Sequence, residues 1–243
     1  MILYILITAH FLADFTFQTN RLVRRKRSDY KYLICHSMIY AFTFIPAIFP
    51  FASFGKGIMV FIITTGSHFL IDWARIIADR KCKEVSGLFF TFIADQVLHI
   101  LILTVTYYLF SLESAATLLY ANIRQWPNFD SLVVYSLIFV LIWDPAAVLV
   151  KMLFACVIDK NRCDQEDNDP PAGRIIGKLE RIIISVLILI DQFSAIGLVL
   201  TAKSIARFRQ LEDRSFAEKY LVGTLTSFAF AIIISVILKH QCQ

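Results

Sequence analysis

The feature that most limits what this chain can fold into is a series of long apolar blocks. They fall at about 1–18, 32–54, 57–78, 87–111, 131–158, 182–202 and 219–238. A helix needs about 20 apolar residues to cross the hydrocarbon core of a bilayer. Backbone groups in lipid must be bonded within the protein, which leaves helices and closed barrels. No block alternates as a barrel strand does. The pattern therefore predicts an all-α, polytopic transmembrane helical bundle with six or seven membrane helices. Composition agrees, because only 18% of residues are charged, against about 25% in soluble domains.

The loops set an expected orientation. After the first block come Arg21, Arg24, Arg25, Lys26, Arg27 and Lys31, the strongest basic run in the chain. Such runs stay on the cytoplasmic side, so the N-terminus is expected outside, in a multi-pass protein of the cell inner (plasma) membrane. The turn at Gly55-Lys56-Gly57 then lies outside, and Arg75, Arg80, Lys81 and Lys83 return to the cytoplasm. Residues 1–112 read as a four-helix membrane domain. Residues 131–243 read as a second membrane helical region, with a polar cytoplasmic loop over 159–174. Strict alternation next puts Lys203, Arg207, Arg209 and Arg214 outside. Either one block does not cross, or 203–219 is an amphipathic interfacial helix.

The net charge of +5 is carried by these loops. With no basic groove interleaved with stacking aromatics, no nucleic acid is expected. Membrane lipids are the expected partners, and the sequence identifies no protein partner. Five cysteines without a C-x-x-C pair indicate neither a disulfide framework nor a zinc ribbon. The N-terminus lacks the basic start and cleavage site of a secretory signal and reads as a retained first span.

Four of the five histidines lie in the first hundred residues, and three have an aspartate four residues away: His10/Asp14, His68/Asp72 and Asp95/His99. Residues four apart share a helix face. Ionisable groups inside spans cost about 2.5–3.5 kcal/mol each on insertion scales and face a bundle interior or cavity. The first and third spans read His-x-x-x-Asp toward the cytoplasm, and the fourth reads Asp-x-x-x-His away from it. Each Asp is thus nearer the cytoplasm and each His deeper. His36, on the second span, joins them near the same face. Asp72 lies about 5 Å from Arg75 but Asp95 about 16 Å from Glu84 along the helix, so this layer requires Val85-Ser86-Gly87 to belong to the loop.

Imidazole and carboxylate suit zinc, iron or manganese, and facing helices with such spacings build metal sites in bundles. His10, His36, His68, Asp72 and His99 are the first-choice metal ligands. Asp14 and Asp95 are candidate catalytic residues, as ligands or general bases. Gln18 and Gln96 are candidates for binding substrate. Two other readings use the same residues: a proton or cation pathway, and His/Asp pairs that only fix helix packing. Convergence of donor atoms from all four helices within about 5 Å would favour the metal.

Other features are softer. Glu180 and Arg181 are neighbours that cannot face each other, so each needs a partner, and Lys178 and Arg181 read as snorkelling. Lys203 and Arg207 share a face that could hold an anionic headgroup. Asp144-Pro145 should kink the fifth long block, and Asp191 is a further intramembrane carboxylate. No Ser-His-Asp pattern, glycine-rich phosphate loop or H-E-x-x-H motif is present.

At HFLADFTFQ, LICHS, HFLID and ADQVLH the sequence resembles the bacterial integral-membrane family designated domain of unknown function 3307. That family shows H-x-x-x-D-F-x-x-Q, a lone His, H-x-x-x-D and D-Q-x-x-H on four successive helices. Here these are His10, Asp14, Phe15 and Gln18, then His36, then His68 and Asp72, then Asp95, Gln96 and His99. The resemblance covers about residues 1–110. The stretch from GRIIGKLER through AIGLVLTAKSIARF to VGTLTS is similar to the C-terminal part of longer members. It implies a bacterial membrane protein and brings no reaction with it. The residues themselves lead to a cytoplasm-facing, metal-dependent membrane hydrolase or transferase acting on a lipid-linked or small substrate. A proton- or cation-coupled transporter and a non-catalytic membrane scaffold are the alternatives.

Overall fold

The computed structural model describes residues 1–26, 29–82, 84–114, 116–157 and 171–241. Among them the chain is helical and forms no strand. Helix α1 spans Ile2–Phe11 and runs into a π-helical turn, Leu12–Thr16. The short α2 covers Asn20–Lys26. Three long helices follow: α3 (Tyr30–Ile48), α4 (Phe54–Lys81) and α5 (Val85–Leu109). Beyond them lie α6 (Leu118–Arg124), α7 (Phe129–Val157), α8 (Pro171–Leu189), α9 (Phe193–Ala206), a 3₁₀ turn at Phe208–Glu212 and α10 (Arg214–Lys239). Helices α3, α4, α5, α7 and α10 are long and apolar enough to cross a membrane, and Ile2–Thr16 and Phe193–Ala206 are shorter apolar segments. Large apolar side chains such as Met38, Phe42, Ile62, Leu70, Leu101 and Val105 are exposed on α3, α4 and α5. A water-facing surface rarely carries so many, whereas a lipid-facing one must.

The chain divides into two compact units, residues 1–137 and 138–243. In the first, each long helix buries one stripe. On α4 it is Gly57, Val60, Thr64, His68, Asp72 and Ile76. On α5 it is Phe92, Asp95, Gln96, His99, Leu103 and Thr106. On α3 it is Leu33, His36, Tyr40, Phe44, Ala47 and Ile48. These steps of three and four keep one helix face inward. One end of the stripes is apolar, where Ile2, Leu6, Tyr40, Phe44, Ala47, Val60 and Leu103 share a core. The polar residues form a layer farther along the same stripes. Outside the spans, Glu113 accepts from the Tyr120 hydroxyl (2.8 Å), Arg124 (3.1 Å) and the Ile2 N–H (3.4 Å), tying α6 to the start of α1.

In the second unit α8 and α9 form an antiparallel hairpin beside α10, around Ile142, Ile184, Ile188, Ile196, Phe228 and Ala231. The expected single block 182–202 is therefore two helices. The break is a helix stop: Asp191 has φ 60°, its N–H bonds Ile188 O, and Gln192 N–H bonds Leu187 O. This is the left-handed cap in which two N–H groups satisfy the last open carbonyls. Asp191 is thus a cap residue, 68% exposed and paired with Lys239 at 2.6 Å, rather than a carboxylate inside a span. Nor is 203–219 one amphipathic helix, because α9 ends at Ala206 and Asp213 caps a new helix by accepting from Ser215 N–H.

Three other expectations shift. Gly55-Lys56-Gly57 opens α4, and the turn before it lies at residues 49–53. The polar loop expected over 159–174 lies outside the described residues up to 170, and residues 171–174 already belong to α8. Arg181 does not snorkel. It is 4% exposed and donates to Ile142 O (2.6 Å), Trp143 O (3.1 Å) and Ser227 Oγ (3.2 Å). Pro145 lies inside α7, where it removes one N–H and crowds the carbonyl a turn earlier. The guanidinium takes the carbonyls beside that disturbance. Its neighbour Glu180 pairs with Lys203 at 2.6 Å, and Lys178 pairs with Asp144 at 2.5 Å.

Candidate metal centre

The polar layer of the first unit is assembled from four places in the chain. The π-turn after α1 supplies Asp14. A π-turn bonds i to i+5, here Phe17 N–H to Leu12 O at 2.8 Å, and so inserts one residue into the helix. Such turns recur at functional sites. Asp14 is 7% exposed, and His10, His36 and His68 are fully buried. Asp72, Asp95 and His99 are nearly so.

The side chains meet across helices rather than along them. His36 Nε2 lies 3.1 Å from Asp14 Oδ1, 3.3 Å from Asp72 Oδ2 and 3.1 Å from His68 Nε2. His68 Nε2 is 3.9 Å from Asp72 Oδ2. Asp14, His36, His68 and Asp72 each bring one ligand atom to within 4.8 Å of the others, and Asp72, Asp95 and His99 form a second such group. His68 Nδ1 is 2.7 Å from His99 Nε2, and His99 Nδ1 is 2.8 Å from the Asp95 carbonyl.

With each imidazole neutral, the proton positions follow from these partners. A carbonyl only accepts, so His99 Nδ1 carries the hydrogen and neutral His99 accepts at Nε2 from His68 Nδ1–H. His68 Nε2 is then a lone pair, and it faces His36 Nε2. One hydrogen on His36 Nε2 thus faces three acceptors: His68 Nε2, Asp14 Oδ1 and Asp72 Oδ2. His36 Nδ1 is buried without a hydrogen-bond partner. With that assignment the centre holds more lone pairs than protons, and the cluster could hold a cation.

The surrounding groups fix the carboxylates. Gln96 Nε2 donates to Asp14 Oδ2 (2.8 Å) and Asp95 Oδ2 (3.0 Å). Its amide oxygen faces His10 Nε2 at 3.3 Å, so that nitrogen is an N–H, and His10 Nδ1 accepts from the Tyr40 hydroxyl at 3.3 Å. Both His10 nitrogens are used, and the ring stacks on His99 at 4.9 Å. The Tyr40 ring lies flat on His68, with centroids 3.6 Å apart. Arg75 Nη1 holds Asp95 Oδ2 at 3.0 Å, while Asp95 Oδ1 is buried with no hydrogen-bond partner. Lys26 Nζ, from α2, holds Asp72 Oδ2 at 3.1 Å and is itself buried. With its amide nitrogen toward the Asp14 carbonyl (2.8 Å), Gln18 accepts from Lys26 Nζ at 3.1 Å.

Of the residues singled out in the sequence, His10, Asp14, His36, His68, Asp72, Asp95, Gln96 and His99 converge, with Gln18 at the margin. Asp14 stands among the ligand atoms, and His10 among the groups that orient them. Lys203 and Arg207 lie in the other unit. Lys203 is taken by Glu180, and Arg207 lies over the Tyr220 ring at 5.7 Å. Sequence reasoning missed Tyr40, Lys26 and Arg75. Tyr40 and Arg75 carried a signal, being one turn on from His36 and Asp72. Nothing distinguished Lys26 within its basic run.

A family model described as "Protein of unknown function (DUF3307)" matches residues 2–127, just over half of the chain and all of this centre. No curated protein and no solved structure matches.

Proposed function

We propose a function for this chain, which belongs to the DUF3307 family, from its buried centre: it holds a divalent transition metal ion and serves as a metal-dependent hydrolase or transferase. Asp14, His36, His68 and Asp72 would hold the ion. One observation carries the reading. Four donors about 2.0–2.1 Å from a tetrahedral ion stand about 3.3 Å apart. Of the six donor–donor separations here, four are 3.1, 3.1, 3.3 and 3.9 Å, and the other two lie within 4.8 Å. Zinc, iron and manganese all accept this donor set.

A metal bound there would polarise a substrate oxygen and lower the pKa of a water to near 7. The chain's own groups have separate tasks. His99 orients His68 through the 2.7 Å bond, as supporting residues of metal ligands do. Arg75 and Gln96 fix one oxygen of Asp95 and leave Oδ1 as an open acceptor, suited to take a proton as general base. An apolar cavity of about 750 Å³ between α1 and α3, lined among others by Ala9, Leu12, Ile39, Phe42 and Thr43, favours a lipid-linked substrate. The basic run on α2 favours access from the cytoplasmic face of a bacterial inner membrane.

Metal analysis of the protein purified in detergent tests this. Close to stoichiometric metal is expected, lost in His68→Ala and Asp72→Ala. Metal-free wild-type protein, with activity unchanged in both variants, would sink the reading. The second reading, a proton or cation carrier, is favoured by the continuous chain His36–His68–His99–Asp95 carbonyl. It predicts metal-free protein and pH-dependent flux in vesicles.

A further inference from the structure

Lys26 is not needed to hold a metal, yet it is buried against the carboxylate oxygen that faces both ligand imidazoles. The same Asp72 Oδ2 is 3.1 Å from Lys26 Nζ and 3.3 Å from His36 Nε2. In the protein as described, Asp14 and Asp72 face one ammonium, and Arg75 cancels Asp95. The centre carries about one net negative charge, which attracts a divalent cation. Once the cation is bound the sign reverses to about one net positive charge. Asp72 Oδ2 must then share its lone pairs with the metal, and among the described residues the Lys26 ammonium, with three hydrogens, keeps the neutral Gln18 amide oxygen as its one undivided acceptor. A buried, under-partnered ammonium beside a cation calls for an anion.

We infer that the loaded centre is an oxyanion site in which Lys26 binds a phosphate or a phosphate ester. This rests on the metal reading and names the substrate class for it. Lysine serves phosphate as a point charge, which needs no fork geometry and tolerates a short helix as its base. The exposed Arg21 on α2, followed by Arg24 and Arg25, adds a positive approach that would raise the local concentration of anions. Among the described residues, Tyr40 and Gln96 already satisfy the His10 ring, so the anion is expected on the Asp72 side.

The test is calorimetric titration of inorganic phosphate into detergent-solubilised protein, metal-free and Zn²⁺-loaded, alongside Lys26→Met and Lys26→Arg. Phosphate should bind the loaded wild type and not the metal-free protein. Lys26→Met should keep its metal, at equal or tighter affinity because no ammonium competes for Asp72, and should lose phosphate binding tenfold or more. Lys26→Arg should restore it. Displacement of phosphate by phosphatidic acid in mixed micelles would identify a lipid headgroup as the source. Competition by a soluble phosphate monoester alone would identify a free ester, and either result supports the site. Equal phosphate binding in metal-loaded Lys26→Met and wild type would overturn the inference while leaving the metal reading intact. Absence of metal from every variant would overturn both.

Discussion

The Lys26–Asp72 pair allows a quantitative test of how the centre is built, measured with a chelator present so that no ion contributes. The two side chains are 9% and 1% exposed and 3.1 Å apart. Breaking a buried pair costs about 3–5 kcal/mol, because the remaining charge is stranded. The two ways of breaking it are not equivalent here. Lys26→Met leaves Asp72 with His36 at 3.3 Å. Asp72→Leu leaves an ammonium whose remaining acceptor among the described residues is the Gln18 amide. Asp72→Leu should therefore cost about 3–5 kcal/mol and Lys26→Met less. A loss of about 3–5 kcal/mol is a large fraction of the roughly 5–15 kcal/mol that stabilises an ordinary domain. The double variant removes both charges and should recover about 2–3 kcal/mol of the Asp72→Leu loss, a coupling of the size expected for contacting groups. Equilibrium unfolding in mixed micelles measures all four corners of the cycle. If Asp72→Leu costs under about 1 kcal/mol, or the double variant recovers nothing, the two groups are not paired in a buried setting. The charge reversal argued for the loaded centre would then lose its basis.

Two further outcomes lie outside the centre. Asp191, at φ 60° in the cap of α8, should accept Gly with a gain of about 0.5–1 kcal/mol, since glycine adopts this region freely and the pair with Lys239, in which Asp191 is 68% exposed, contributes little. Asp191→Val should lose about 1–2 kcal/mol, and equal unfolding midpoints for the Gly and Val variants would remove the cap argument. Burial acts to raise the Glu113 carboxyl, but the Tyr120 hydroxyl and the nearby amino and N–H groups outweigh it and hold it below the usual glutamate range. A depressed carboxyl stabilises the fold above its unfolded pKa, about 4.3, and that stability is lost as the pH falls through the folded value. Glu113→Gln should lower the unfolding temperature at pH 7 and flatten its dependence below about pH 5. An unchanged acid limb would refute the role given to Tyr120.

The membrane class was legible because block length is a strong constraint, and most expected blocks correspond to helices within a few residues. The exceptions have local causes. The block at 182–202 is uniformly apolar, so hydropathy runs through the cap at Asp191, where the chain reverses. The expected loop at Val85-Ser86-Gly87 fails for a related reason. Arg75 looked like the edge of a loop, but α4 continues to Lys81 and α5 begins at Val85, so Val85-Ser86-Gly87 is helical. Asp72 is nine residues from the end of α4 and Asp95 ten residues from the start of α5. The two aspartates are level without the loop that the sequence had required. At about 1.5 Å per residue α4 is about 42 Å long, longer than a hydrocarbon core of about 30 Å. Its last charged turns can therefore stand outside lipid while Asp72 stays buried.

The four-residue His/Asp spacing pointed to the right residues for a reason different from the obvious one. A pair on one helix suggests a bond between its members. Yet His68 and Asp72 are 3.9 Å apart, as are His99 Nδ1 and Asp95 Oδ1. The short contacts join different helices: His36 to Asp14, His36 to His68, His68 to His99, and Gln96 to Asp14. Spacing fixes which face a residue occupies; partners are fixed by where the neighbouring helix stands, and for Asp14 by one residue inserted through a π-turn that no local pattern announces. This difference bears on function. Pairs that served only to fix helix packing would also bond across helices, but with one donor matched to each acceptor. Here donors and acceptors are pooled across four segments and fall short of protons at His36. Packing alone does not require that shortage, and a bound cation would relieve it.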